Sequence, residues 1–140
     1  MHILVQFATS RSKMMDRDKL IQEIRPLLPI SNMPQKSEAE LFQNSVLRPI
    51  LKLQHEYLVF TFLNSPSVIK KGFLQKHVDQ KVKIIEHSLK TDQKLKSEII
   101  HAITSLMTLD EIKRYLDTKS EFSKRIVSMA IQRLKDALIT

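Results

Sequence analysis

The longest run of apolar positions with helical spacing extends from Ser37 to Asn64. At roughly 100° per residue, its apolar side chains form two neighbouring strips along one predicted helix. The first strip consists of Phe42, Val46, Ile50, Leu53, Tyr57 and Phe60, and the second consists of Leu47, Leu51, Leu58 and Phe62. A helix that is apolar over so much of its circumference is usually surrounded by other helices. We therefore expect this stretch to be the central helix, and Leu53→Ala to be as costly as a core truncation.

Pro49 interrupts this central pattern. A proline has no N–H to donate to the Ser45 carbonyl, and inside a straight helix it costs about 3 kcal/mol or more. Both apolar strips remain in phase across it, which indicates a kink in the helix rather than its end. At the beginning of the stretch, Ser37 and Glu40 have the spacing of a capping box.

The remaining segments have shorter amphipathic patterns. Residues 16–25 can form a short helix that is capped by Asp16 and ended by Pro26. Residues 65–77 read as an irregular basic connector, and helices are predicted over about 77–90 and after caps at Asp92, Thr108 and Ser120. A single glycine among 140 residues disfavours sheets joined by tight turns. The prediction is an all-α, single-domain bundle of about five helices around a long, proline-kinked central helix.

The proline spacing suggests where that domain begins. Prolines 26, 29 and 34 interrupt the chain between the first predicted helix and the central one. We therefore assign residues 1–35 to an N-terminal extension or linker that can hold a short helix. Residues 36–140 form the predicted helical domain.

Composition and charge narrow the classes of function. There are 23 lysines and arginines against 15 acidic residues, so the formal net charge is +8. Such a surface attracts nucleic acid, anionic lipid or acidic partners. No feature of the sequence other than its charge points to these partners. The chain has no cysteine, which excludes thiol catalysis and disulfides and fits a cytoplasmic location. No apolar run has the length of a membrane span.

Four polar side chains stand out as candidate site residues. Gln43, Gln54 and Thr61 fall between the two apolar strips, where buried polar groups must find hydrogen-bond partners. They are either satisfied polar groups of the core or the lining of a ligand groove. Arg133 falls within an apolar strip of the last helix, so its guanidinium must extend to solvent or find a partner. We predict a contact with the central helix around 45–49.

No group of residues indicates catalysis, a cofactor or a metal site. Glu98 and His101 have the Glu-x-x-His spacing of di-iron bundles, but such sites require the motif twice and the sequence has it once. A single glycine leaves no phosphate-binding Gly-rich loop. No serine has the surroundings of a nucleophile elbow. We therefore predict no catalytic, cofactor-binding or metal-binding residues.

Several short runs resemble a family of short bacterial helical proteins. They are Glu40-Leu41-Phe42-Gln43-Asn44, Leu47-Arg48-Pro49-Ile50, Lys52-Leu53-Gln54, Lys124-Arg125-Ile126 and Gln132-Arg133-Leu134. The resemblance covers roughly residues 36–138. Members of this family are often labelled glyoxalase, so the resemblance implies that label for this chain.

Three hypotheses of function follow. The first is a binding module without catalysis, whose ligand is a protein, a second copy of the chain or a small molecule. The second is a small enzyme of the glyoxalase label, although the residues show no metal-binding His and Glu set of the kind that glyoxalase I enzymes use. The third is nucleic-acid binding through the basic surface.

Overall fold

All regular elements in the described part of the chain are helical, which confirms the all-α prediction. The computed structural model describes residues 16–28 and 37–139. There are more helical segments than the sequence predicted, including a π-helical turn at Gln43–Leu47 and a 3₁₀ turn at Phe73–Gln75. The α-helices are α1 (Arg17–Ile24), α2 (Glu38–Phe42), α3 (Arg48–Leu53), α4 (His55–Leu63), α5 (Pro66–Lys70), α6 (Val78–Thr91), α7 (Gln93–Thr104), α8 (Leu109–Asp117) and α9 (Lys119–Leu138).

Most of the predicted helix starts are confirmed. The side chains of Asp16 and Asp92 cap α1 and α7, and Thr108 forms a reciprocal capping box with Glu111 at the start of α8. The predicted cap at Ser120 was wrong, because α9 already begins at Lys119. The predicted connector at 65–77 contains α5 and the 3₁₀ turn, and between them Gly72 adopts a φ of 66°, which a residue with a Cβ rarely adopts.

The central stretch is not one uniformly α-helical rod. A π-helical turn precedes Pro49, and the Arg48 N–H donates to the Gln43 carbonyl five residues earlier. A second irregularity lies at Gln54, whose φ of −90° and ψ of 7° separate α3 from α4. Each departure from α-helical geometry rotates the residues that follow it about the axis, so a face extrapolated from a straight helix loses its register.

Because of this loss of register, the core face that was predicted for the stretch is wrong in part. All four residues of the second apolar strip are almost fully buried, whereas the first strip is buried only as far as Ile50. Leu53 is 39% exposed, Tyr57 53% and Phe60 68%. The core of the stretch therefore follows the second strip, and Leu53 is not a core residue.

The last helix is the element around which the other helices assemble. Helix α9 packs against α4, α6, α7, α8 and the π-helical turn. Ile126, Ala130 and Leu134 of α9 are fully buried, and the ring of Phe122 stacks on Phe42 with 4.4 Å between ring centroids. The central position that the sequence predicted for 37–64 is thus shared with α9.

Helix α1 also packs on the body of the protein. The Arg25 guanidinium forms an ion pair with the Glu111 carboxylate at 2.8 Å and donates to the Leu106 carbonyl. At the other end of α1, Arg17 donates to the Ser105 and Met107 carbonyls. The predicted short helix is confirmed, and it is anchored to the end of α7 and the start of α8. Residues 1–15 and 29–35 of the predicted extension lie outside the described residues.

Candidate functional site

Two of the predicted site residues connect helices to one another. The Arg125 Nη1 donates to Gln43 Oε1 at 2.7 Å, and Gln54 Nε2 donates to the Ala102 carbonyl at 2.8 Å. These bonds link the π-helical turn to α9 and the α3–α4 junction to α7. Thr61 is half-buried on α4. The structure therefore does not bring Gln43, Gln54 and Thr61 together around one groove with Arg133.

Arg133 contacts the central stretch at His55. Its Nη1 lies 3.4 Å from Nδ1 of His55, beyond the Ser45–Pro49 turn. Arg48, which belongs to the predicted segment 45–49, lines the same groove as Arg133.

A basic groove lies between α6, α7 and α9. We call it the lysine groove, and its volume is about 370 Å³. Its floor includes Val127 and Ile131, whose side chains are only 7% and 8% exposed. Its lining residues are Glu86, Lys90, Lys96, Lys124, Val127, Ser128, Ile131, Gln132 and Lys135. Four ammonium groups thus surround a partly apolar floor, with one carboxylate among them.

The charges of the lysine groove are only partly compensated. Glu86 forms an ion pair with Lys135 at 3.5 Å, and both side chains are partly exposed. Such exposed pairs contribute about 0–1 kcal/mol. No carboxylate among the described residues lies within ion-pair distance of Lys90, Lys96 or Lys124. The groove therefore presents excess positive charge to a ligand.

The sequence contains part of the signal for this groove. Lys124 and Lys135 are eleven residues apart, which is about three helical turns, so they lie on the same side of α9. Val127 and Ile131 lie between them at the spacing of neighbours on a helix surface. Lys90 and Lys96 reach the groove because α6 and α7 pack on α9, and no pattern within one helix reveals that.

A second groove lies on another side of α9. We call it the arginine groove, and its volume is about 330 Å³. It is lined by Arg48, His55, Met129, Gln132, Arg133 and Asp136. Gln132 borders both grooves, so they are neighbours across one position of α9.

The residues considered as metal ligands do not form a cluster in the described part of the chain. Glu98 and His101 both lie exposed on α7. Within residues 16–28 and 37–139, no three His, Asp or Glu side chains are grouped so that they could hold a metal ion. None of the described helices combines the length and the apolar character needed to cross a membrane.

Comparisons with known proteins give no relative for this chain. No protein-family model, no curated protein and no solved structure matches it. The properties of the two grooves are therefore the basis for a functional proposal.

Proposed function

We propose that this protein is a non-catalytic binding module that holds an amphipathic anion in the lysine groove. The ligand class is a carboxylate or phosphate attached to an apolar chain. The observation that carries the proposal is the set of four lysines around a floor that includes Val127 and Ile131.

The two kinds of lining residue account for the two halves of the ligand. An ammonium group is a flexible point charge with three donors, which suits an anionic head whose position can vary. Val127 and Ile131 expose little area of their own, so the methylene stems of the lining lysines supply much of the apolar surface for the chain, at about 25 cal/mol for each Å² removed from water. Lys124 and Lys135 are about 16 Å apart along the axis of α9, so the groove suits an elongated ligand.

Titration with octyl phosphate, followed by amide NMR, tests this proposal. Octanol, at the same concentrations below those at which the phosphate forms micelles, serves as the uncharged counterpart. We expect octyl phosphate to shift the amide resonances of residues 127–131 and 96, and octanol to bind much more weakly. Binding should weaken as salt is added, because the attraction is largely electrostatic.

Paired lysine variants locate the binding. We expect Lys96→Gln combined with Lys124→Gln to cost up to about 2 kcal/mol of binding free energy, since each exposed charge pair contributes about 0.2–1 kcal/mol. Lys76→Gln combined with Lys113→Gln removes the same charge at exposed positions outside the groove lining and serves as the control. Equal losses in the two double variants, or equal binding of octanol, would contradict the proposal.

The two other hypotheses give different outcomes with the same protein. Robust turnover of methylglyoxal with glutathione and added divalent metals would favour the enzyme that the family resemblance implies. Tight binding of an oligonucleotide with a steep salt dependence, in the absence of octyl phosphate binding, would favour a nucleic-acid ligand.

A further inference from the structure

The arginine groove holds two guanidinium groups with little compensating charge. No carboxylate among the described residues lies within 4 Å of Arg133 or Arg48. Arg48 donates from Nε to Asn44 Oδ1 at 3.0 Å, and this partner is neutral. The one acidic residue of the groove, Asp136, accepts from Gln132 Nε2 at 2.9 Å. Among the described residues, neither of these two cations has an ion-pair partner.

Arg133 is the less well stabilised of the two cations. Its contact with His55 Nδ1 is 3.4 Å long, which is at the weak end of hydrogen-bond geometry. Burial lowers the pKa of Arg133, the nearby Arg48 lowers it further, and Asp136 acts in the opposite direction. A partly buried cation next to a like charge costs free energy unless an anion joins it.

We infer that the arginine groove binds a phosphate monoester dianion between Arg48 and Arg133. Guanidinium groups match phosphate oxygens with paired, charge-assisted hydrogen bonds, and they are more weakly hydrated than ammonium groups. The His55 imidazole and the second amide N–H of Gln132 add further hydrogen-bonding groups to the lining. A tetrahedral phosphate offers oxygens to several helices at once, whereas a carboxylate offers only two.

This site is independent of the proposed function of the lysine groove. Apart from Gln132, the two grooves share no lining residue. The cations of the lysine groove are ammonium groups, whereas those of the arginine groove are planar guanidinium groups. The first suits an anion with an apolar chain, and the second suits a compact phosphate group.

Phenyl phosphate tests the inference, with phenol as the uncharged counterpart. The second pKa of a phosphate monoester is about 6, so near pH 7.5 the probe is mainly a dianion. At constant ionic strength we expect phenyl phosphate to shift the side-chain resonances of His55 and to raise the melting temperature. Phenol should do neither. A ligand that binds only the folded state raises the free energy of unfolding by RT ln(1 + L/Kd), where L is the free ligand concentration, so the melting temperature should rise with that concentration.

Four variants test whether Arg48 and Arg133 form the phenyl phosphate site. Arg133→Met should weaken phenyl phosphate binding about tenfold or more, as loss of a charge-assisted hydrogen bond does. Arg48→Gln changes an exposed residue and should weaken binding in the same direction without a risk to folding. Lys52→Gln, one turn from Arg48 and also exposed, should bind as the wild type does. The Lys96→Gln and Lys124→Gln double variant should also retain binding, which separates this inference from the lysine groove.

Stability without the ligand gives a second readout. Because Arg133 lies near Arg48 without an anionic partner, Arg133→Met should unfold at the same temperature as the wild type or at a higher one when phosphate is absent. A lower melting temperature would show that Arg133 serves the fold, and it would overturn the inference. Phenyl phosphate binding that is unaffected by both Arg133→Met and Arg48→Gln would overturn it as well.

Discussion

Among single side chains, the Glu111 carboxylate joins the end of α1 to the start of α8. It accepts two hydrogen bonds from Arg25 of α1 at 2.8 Å and one from the Thr108 N–H at 2.8 Å. Burial disfavours its charged form, but the hydrogen bonds from Arg25 and Thr108 outweigh burial, and the pKa of Glu111 is lowered. Its ionised form is therefore tied to the folded state.

Stability should fall in acid because of Glu111. The folded-state pKa lies below the ordinary value of 4.5, so the stabilisation is complete above that pH and is lost as pH falls through the folded-state pKa. Glu111→Gln should remove this part of the acid dependence and cost about 1.5–3 kcal/mol at neutral pH. Urea denaturation at several pH values measures both effects, and the exposed Glu98→Gln should keep the wild-type profile.

Leucines 51 and 53 test the corrected face of α3. Leu51 is fully buried, so Leu51→Ala should cost about 2–5 kcal/mol of unfolding free energy. Leu53 is 39% exposed, and Leu53→Ala should cost only about 0.5 kcal/mol, as surface substitutions do. Denaturant melts of the two variants compare them directly. Equal losses would contradict the corrected face, and a larger loss for Leu53→Ala would mean that α3 presents the other face to the core.

At the level of secondary structure, α1 is attached mainly through polar contacts. Its only nearly buried side chain is Ile21 at 6% exposure. The attachment comes from the Arg17 and Arg25 guanidinium groups and from Asp18, whose carboxylate accepts from the Leu109 N–H at 3.1 Å. A helix of eight residues is too short to be stable by itself in water, so these contacts decide whether it forms.

Loss of the Arg25 contacts should release α1 locally. Arg25→Met removes the ion pair with Glu111 and the bond to the Leu106 carbonyl. We expect the amides of residues 20–25 to exchange hydrogen almost as fast as an unfolded chain, while the amides of α9 remain protected. The exposed Lys19→Met on the same helix is the control. Unchanged protection of α1 would show that Ile21, Arg17 and Asp18 are sufficient to dock it.

For the whole molecule, the most prominent property is its unbalanced charge. The formal net charge is +8, and both grooves concentrate cations beside α9. Self-repulsion of like charges destabilises a compact state, and salt screens it. Each groove is therefore a place where a bound anion would stabilise the fold.

Moderate salt should stabilise the protein. Raising the NaCl concentration from about 0.01 M to about 0.1 M shortens the screening length from about 30 Å to about 10 Å. The midpoint of urea denaturation, which adds no ions of its own, should therefore rise. The Lys90→Gln and Lys124→Gln double variant should show a smaller rise than the Lys76→Gln and Lys113→Gln control of equal net charge. A midpoint that falls with salt would mean that attractive pairs such as Arg25–Glu111 dominate.

The helical class and most helix starts could be predicted from local patterns. A helix start depends on a side chain within a few residues, such as Asp16, Asp92 or the Thr108–Glu111 pair, so the signal lies in adjacent sequence. The apolar spacing also identified both strips of the central stretch. These features are local in the chain, and a single sequence contains them completely.

The tertiary structure decided which apolar strip is buried and which residues form the candidate site. The backbone departures at 43–47 and at Gln54 rotate the chain, and the bond from Gln54 to the Ala102 carbonyl joins residues far apart in the sequence. The lysine groove likewise needs α6 and α7 beside α9, and Arg133 meets His55 only when α9 packs on α4. Such contacts depend on how the helices pack, and packing is a property of the assembled chain that periodicity within one helix does not contain.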